Sequence, residues 1–259
     1  LLEVAGFVKE GLAHHSLLGK LIANTYEAKF KKMAREASAA IYVTNEALQK
    51  RYPSNGKMLG CSDVLLNEID ENVLKQRKDK DIKCKIRVGT AAFLDVKWKG
   101  QENVIKAIAE LRHKGRSNLV YELIGIGEGV RLKVLAEKLG VQDQVKFLGT
   151  KNHIDVFKWI DNLDIYIQPS YQEGLCRSII EAMSRACPVI CSDTGGNYEL
   201  IDKKYLFPCG DYQKLAELIE LMMGDFEEQS ERNFEKSKLY EKHRLDALRY
   251  TFLKSFVEL

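Results

Sequence analysis

From Lys83 onward the chain alternates short β-branched runs with amphipathic helical stretches, and no other feature restricts its fold so tightly. KCKIRVGTAA, NLVYELIG, QVKFLG, LDIYIQPS and PVICSD read as strands. QENVIKAIAELRHKG, GVRLKVLAEKLG, HIDVFKWIDN, CRSIIEAMSRA and YQKLAELIELMM read as helices. Five strand–helix repeats in succession mean βαβ units. Parallel neighbours need a crossover between them, so the expected fold is α/β, a doubly wound parallel sheet with helices on both faces.

The part before Lys83 is less regular. Residues 5–38 read as helical, with Tyr26, Phe30, Met33 and Ala37 spaced along one face. AAIYVTN is a short strand, and EALQKRYP resumes helical character until Pro53. From Ser62 to Asp81 the sequence is polar and dense in charge, which suits a linker or an exposed crossing segment.

Composition removes several classes of function. Lys+Arg 40 against Asp+Glu 37 is too balanced for a nucleic-acid partner, and no basic stripe is interleaved with aromatics. No apolar run reaches the ~18 residues of a membrane span, and there is no signal-peptide pattern. The six cysteines are scattered without a paired framework, as expected of buried free thiols in a reducing compartment.

In an open parallel sheet, ligands bind beyond the carboxyl ends of the strands. Four of the five loops there, GTAAFLDVKWKG, GIGEG, GTKN, PSYQEG and SDTGG, place Gly close to the strand end. GIGEG lacks the G-x-G-x-x-G spacing, and the next strand ends without the acidic residue that would hold a ribose, which argues against a dinucleotide site. Asp79 to Asp81 (DKD) precedes a strand within a run of charges, so a solvated linker fits better than a metal site. The five histidines show no ligand spacing and no catalytic triad.

The stretch YQEGLCRSIIEAMSRACPVICSDTGG remains. Gly174 opens a helix whose first N–H groups are free for an anion. Glu173 stands beside that start, and Glu181 lies two turns along. A carboxylate beside an anion site is useful if it reaches past the anion to hydroxyl groups, which ionised Glu accepts well. A ligand with a sugar, phosphates and a second sugar fits both glutamates. The other reading is that Glu173 is a capping and dipole residue.

SYQEGLCRSIIEAMSRACPVICSDTGGNYELI resembles the E-x7-E segment of family-four retaining glycosyltransferases (glycosyl transferases group 1) with the GT-B fold. VGTAAFLDVKWKGQENVIKAI, YELIGIGEGVRLKVLAEKLGV, VKFLGT and LDIYIQPS agree in order and spacing. The likeness is dense from Ile86 to Ile201 and weaker from Ala39 to Leu66. It implies a Rossmann-like, nucleotide-sugar donor-binding domain at 81–240. Residues 1–80 would be a remnant of the N-terminal acceptor domain plus linker, too short to be complete, and 241–259 a helix crossing back to it. Glu173 would contact the donor sugar, Glu181 the ribose hydroxyls, and Lys99 the diphosphate. Gly174 and Leu175 would offer N–H groups to the diphosphate, Gly127 would line the cleft, and Phe147 with residues just past it, including Lys151, would meet the base.

The sequence departs from the family where Thr90 follows Gly89, a position usually held by Arg as a second diphosphate cation. Thr90 is carried as a donor-site residue, with Arg177 or Lys97 as substitute cations and Cys176 near the diphosphate. His14 and His15 match no family motif.

The implied reaction is transfer of a sugar from a UDP- or GDP-sugar to a glycan or lipid-linked acceptor hydroxyl, with retention. No metal and no cofactor is expected. The implied setting is cytoplasmic, at the inner membrane face, with any membrane association through the missing N-terminal part. Other readings are a sugar-nucleotide epimerase of the same fold, a non-catalytic nucleotide-sugar-binding domain, or a dehydrogenase-type Rossmann protein. Without the rest of the N-terminal domain, the expected transfer activity is poor.

Overall fold

The computed structural model describes residues 1–67, 69–80 and 85–257. Among them the strands form two all-parallel sheets. The smaller joins β1 (Leu2–Val4), β2 (Ala39–Tyr42) and β3 (Lys57–Gly60) in that order. With it go α1 (Val8–His15), α2 (Leu17–Glu36) and α3 (Ala47–Arg51). A short helix, α4 (Asn72–Lys78), follows the crossing segment.

The larger sheet contains β4 (Ile86–Ala91), β5 (Leu119–Ile124), β6 (Val145–Phe147), β7 (Ile165–Gln168), β8 (Val189–Ser192) and β9 (Leu206–Phe207). Their spatial order is β6-β5-β4-β7-β8-β9, so the winding reverses between β4 and β7. Between the strands run α5 (Gln101–His113), α6 (Val130–Lys138), α7 (His153–Asn162) and α8 (Arg177–Ser184), and α9 (Tyr212–Gly224) follows β9. On one face α5 packs beside α6 and α9; on the other, α8 packs beside α7 and α10 (Phe226–Ser237). The sheet is thus covered twice, and β5, β7 and β8 are buried along their whole length. Each apolar side chain removed from water in this way contributes about 1.5–3 kcal/mol. Gly89 of β4 leaves room for Trp159 and Leu163 pressing on the strand.

The amino-terminal part departs from expectation in detail. Residues 5–38 are two helices, because Ser16 takes an extended conformation and its hydroxyl caps α2 by accepting from the Gly19 amide. The buried stripe of α2 is Gly19, Ala23, Glu27 and Ala34, whereas Tyr26 and Met33 are half exposed and Ala37 is the C-cap. Glu27 carries the stripe inward because Tyr52 Oη donates to it at 2.7 Å and Arg51 Nε lies 2.6 Å away.

The charged crossing segment contains α4, whose Arg77 is buried and donates to the Ile160 and Arg185 carbonyls, each at 3.0 Å. The guanidinium closes the carboxyl ends of α7 and α8. A residue that looked solvated is therefore a structural donor. The DKD stretch and the first strand expected to begin at Lys83 lie partly outside the described residues. Cys61, Cys176, Cys187 and Cys191 are buried, while Cys209 is exposed, contrary to expectation.

The chain closes with α11 (Lys242–Val257), which lies against the smaller sheet. Lys57 Nζ donates to the Ser255 carbonyl at 2.9 Å, and Arg249 sits 3.3 Å from Glu3.

Candidate functional site

Loops leaving β4 and β7 diverge to opposite faces of the sheet, which opens a crevice at the reversal of winding. Here the two loops also touch. Gly100, with φ 69°, lets the end of the β4 loop lie against the Pro169 carbonyl, where any Cβ would collide. The preceding residue, Lys99, is thereby delivered to Glu173, with Nζ 2.8 Å from Oε1. Both side chains are largely removed from water, at 22% and 12% exposure. Burial works against the Lys99 charge, but attraction to Glu173 and the hydrogen bond between them prevail and hold its pKa above the ordinary lysine value.

A polar chain beneath the pair fixes the carboxylate. Gln168 Nε2 donates to Glu173 Oε1 at 3.2 Å, and Gln168 Oε1 accepts from Tyr166 Oη at 3.0 Å and from Ser178 Oγ at 3.3 Å. Tyr166 is anchored in turn by the Ala91 amide at 3.2 Å. Glu173 thus stands on three elements, which restricts its rotamers.

The start of α8 lies alongside. Its N-cap residue, Cys176, makes no side-chain cap, and its first turn carries no acidic residue. By contrast, Asn152 caps α7 by accepting from the Asp155 amide, and Asp211 caps α9 by accepting from the Lys214 amide. An uncapped helix start next to a half-buried ammonium is suited to an anion. Burial pushes the Cys176 thiol to about 12, so it is present as the neutral thiol, in contact with Ser178 Oγ at 3.2 Å.

Glu181, one face further along α8, is 20% exposed, and burial raises its carboxyl above the usual carboxylate range. His153 Nε2, 3.8 Å away, and Arg177 oppose that shift. Lys99, Glu173, Leu175, Cys176, Arg177 and Glu181 all border one cleft of about 490 Å³. A second lobe of about 320 Å³ shares Ala91, Lys99 and Val156 with it and extends to Phe93, Ile126, Thr150 and Lys151.

Other residues expected here lie elsewhere. Thr90 is fully buried, its hydroxyl donating to the Ile167 carbonyl at 2.7 Å and accepting from Tyr121 at 3.0 Å. It faces the sheet interior because successive strand residues alternate faces. Gly127 sits over Asp95, and the wall is made by Gly125 and Ile126 instead. Phe147 packs against Gly129 and under the Lys133 ammonium, leaving Thr150 and Lys151 to line the lobe. Of the two substitute cations, Arg177 borders the cleft, whereas Lys97 is exposed at the loop surface.

Residues the sequence did not single out are Tyr166, Gln168 and Ser178 beneath Glu173, His153 beside Glu181, and Leu65 on the wall. Polar residues inside the apolar run LDIYIQPS were the available signal for the first two. Among the described residues no three His, Cys, Asp or Glu side chains group as metal ligands.

An open, doubly wound sheet that gathers a half-buried lysine, two glutamates and an uncapped helix start at its switch point defines an α/β protein with a charged crevice at the carboxyl ends of its strands. The chain matches the model of the glycosyl transferases group 1 over residues 74–238, and it belongs to that family. It is 36% identical over 222 residues to protein CapJ of Staphylococcus aureus, covering 85% of this chain and 55% of CapJ. It is 32% identical over 151 residues to the amylovoran biosynthesis glycosyltransferase AmsK of Erwinia amylovora, covering 54% of this chain and 37% of AmsK. The chain thus spans about half, or less, of the curated relatives it matches.

Among solved structures, a sucrose-phosphate synthase from Thermosynechococcus elongatus shares the fold with a TM-score of 0.79 at 19% identity, over 99% of this chain and 68% of that one. Anabaena Alr3699/HepE, solved with UDP and glucose, aligns with a TM-score of 0.72 at 21% identity, over 100% of this chain and 72% of that one.

Proposed function

We propose that this chain is the nucleotide-sugar donor side of a glycosyltransferase that moves a sugar from a UDP- or GDP-sugar to an acceptor hydroxyl with retention. One observation carries the reading: the Lys99–Glu173 pair beside the uncapped start of α8, with Glu181 behind it in the same cleft. In this reading the diphosphate lies over the helix start. Lys99 and Arg177 oppose the negative charge that builds on the leaving group, an electrostatic contribution that works best where water is excluded. Glu173 orients the donor sugar and favours the positive charge developing at its anomeric carbon. Glu181 accepts from the ribose hydroxyls, and the base enters the lobe at Thr150 and Lys151.

The UDP bound to the neighbour HepE supports uridine as the base. The name of AmsK, an amylovoran biosynthesis glycosyltransferase, supports a glycan acceptor, and a lipid-linked acceptor is the other form the reading allows. Two cations and a helix start supply the charge that a metal would otherwise bring, so the reaction is read as metal-independent. No helix among the described residues is long and apolar enough to cross a membrane. The reading places the protein in the cytoplasm at the inner membrane face, with residues 1–80 and α11 as the acceptor-side part.

Calorimetric titration of UDP, GDP, ADP and their sugar conjugates, with Glu181→Ala in parallel, tests it. One nucleotide is expected to bind, and to weaken ~10- to 100-fold in the variant as charged hydrogen bonds worth ~1.5–3 kcal/mol are lost. EDTA is expected to leave the affinity within about twofold. A wild-type chain that binds none of them would overturn the donor-site reading.

A further inference from the structure

Beside the cleft the two units meet partly through glycine backbone. Gly174, in the loop that carries Glu173, faces the Ala5 carbonyl just after β1, where a Cβ would collide. Gly195, with φ 58°, lies against the Glu173 and Gly174 carbonyls, and Gly196 lies against the Thr44 methyl. The Gly196 amide also donates to the Gly174 carbonyl at 2.7 Å. Such close backbone packing fixes spacing, but it gives little directional hold between the units.

Side chains supply that hold: Gln172, beside Glu173, lies against Gly11 of α1, and one carboxylate beyond the turn reaches across as well. Glu199, three residues beyond Gly196, reaches from the larger unit to the segment between β2 and α3. Its Oε2 accepts from the Asn45 amide at 2.6 Å, and its Oε1 accepts from the Ala47 amide at 2.7 Å and the Glu46 amide at 3.1 Å. The segment's own N-cap residue, Glu46, makes no side-chain cap, so these amides depend on a carboxylate 152 to 154 positions away in sequence.

We propose that Glu199 is a positioning residue. It ties the turn that grips the Glu173 loop to the opposite unit and so sets the register of Glu173 against the facing wall of the cleft. The line of contact runs from residues 45–47 to Glu199, back along the turn to Gly195 and Gly196, and from there to Gly174 and Glu173. The groups read above as holding nucleotide, Lys99, Arg177 and Glu181, all stand on the larger unit, and none of them touches Glu199. Nucleotide affinity is therefore spared when the tie is cut, and the grip of the turn on the Gly174 carbonyl is loosened. The relevance to sugar transfer rests on the donor-site reading; the coupling itself does not.

Amide hydrogen exchange read by mass spectrometry on the wild-type chain, Glu199→Ala and Glu199→Gln tests this. In Glu199→Ala, exchange is expected to rise ~10-fold or more both at residues 45–47 and at Gly196, whose amide donates to the Gly174 carbonyl of the Glu173 loop. Glu199→Gln, which keeps one acceptor oxygen, is expected to fall between, with circular dichroism confirming that it folds; it carries the test if the Ala variant does not fold. UDP or GDP affinity in the variants is expected to stay within about threefold of wild type. Loss of protection confined to residues 45–47 would make Glu199 a local cap and overturn the proposal. So would a fall in affinity as large as that of Glu181→Ala. If no nucleotide binds the wild-type chain, the donor reading fails while the exchange result still decides the coupling.

Discussion

Two helices of the larger unit begin alike and end up with opposite roles. Both α6 and α8 follow a glycine-containing loop at the carboxyl end of a parallel strand, and each is a plausible anion site by sequence. At α6 the place is taken: Asp95 accepts from the Glu128 amide at 3.1 Å and from the Gly129 amide at 3.0 Å. Its Oδ2 also fills the space over Gly127, 2.6 Å from where a Cβ would stand. At α8 no side chain caps the start, and a half-buried ammonium stands beside it. A glycine-rich turn offers amides; whether a ligand meets them depends on what the rest of the chain has already put there.

The comparison breaks most sharply at Lys99. Lys99→Ala removes the cation and leaves Glu173 buried without its partner, so nucleotide-diphosphate affinity is expected to fall ~100-fold or more by calorimetry, about 3 kcal/mol. An effect below about threefold would mean that the anion does not sit at α8.

A pH series sharpens it next. Burial raises the Glu181 carboxyl, so it takes up a proton at a higher pH than an ordinary glutamate. As an ionised acceptor it holds hydroxyl groups through charge-assisted bonds; protonated, it holds them more weakly. Nucleotide affinity is therefore expected to drop as pH falls through that raised value, and Glu181→Gln is expected to flatten this limb while weakening binding ~10-fold at neutral pH. For folding the sign is opposite: a carboxyl raised in the folded state destabilises the protein at neutral pH and ceases to do so on acidification. A Glu181→Gln chain should thus melt no lower than wild type at pH 7.

The smallest effect on the ligand is expected at the other helix. Asp95→Ala takes away a cap worth about 0.5–2 kcal/mol, which thermal melting will register, while nucleotide affinity stays within about twofold. A large loss of affinity there would move the ligand toward α6.

The same contrast explains how far the sequence could be read. Alternation of strand and helix located β4 to β8 and α5 to α9, because burial on both faces of a parallel sheet writes unbroken apolar runs. It passed over β1, β3 and β9, which are two to four residues long. It also passed over α10, whose buried face includes Gln229, Ser230, Asn233 and Ser237, so the helical period is masked by polar side chains. In the site, Glu173, Glu181 and Lys99 were legible from spacing and resemblance. Thr90 was misassigned because strand register decides which face a residue sees, and Tyr166 and Gln168 were missed because they sit inside a fully buried strand, where only the fold shows that they support Glu173.

By itself the sequence determined the α/β class, the order of the main elements and the loop in which the chemistry is concentrated. Those follow from local periodicity and from residues close together along the chain. Only the tertiary structure decided that Lys99 meets Glu173 across 74 positions, that Asp95 closes α6, and that Glu199 spans the two units. Hydrogen bonds and ion pairs act over a few ångströms of space, and separation along the chain carries no record of them.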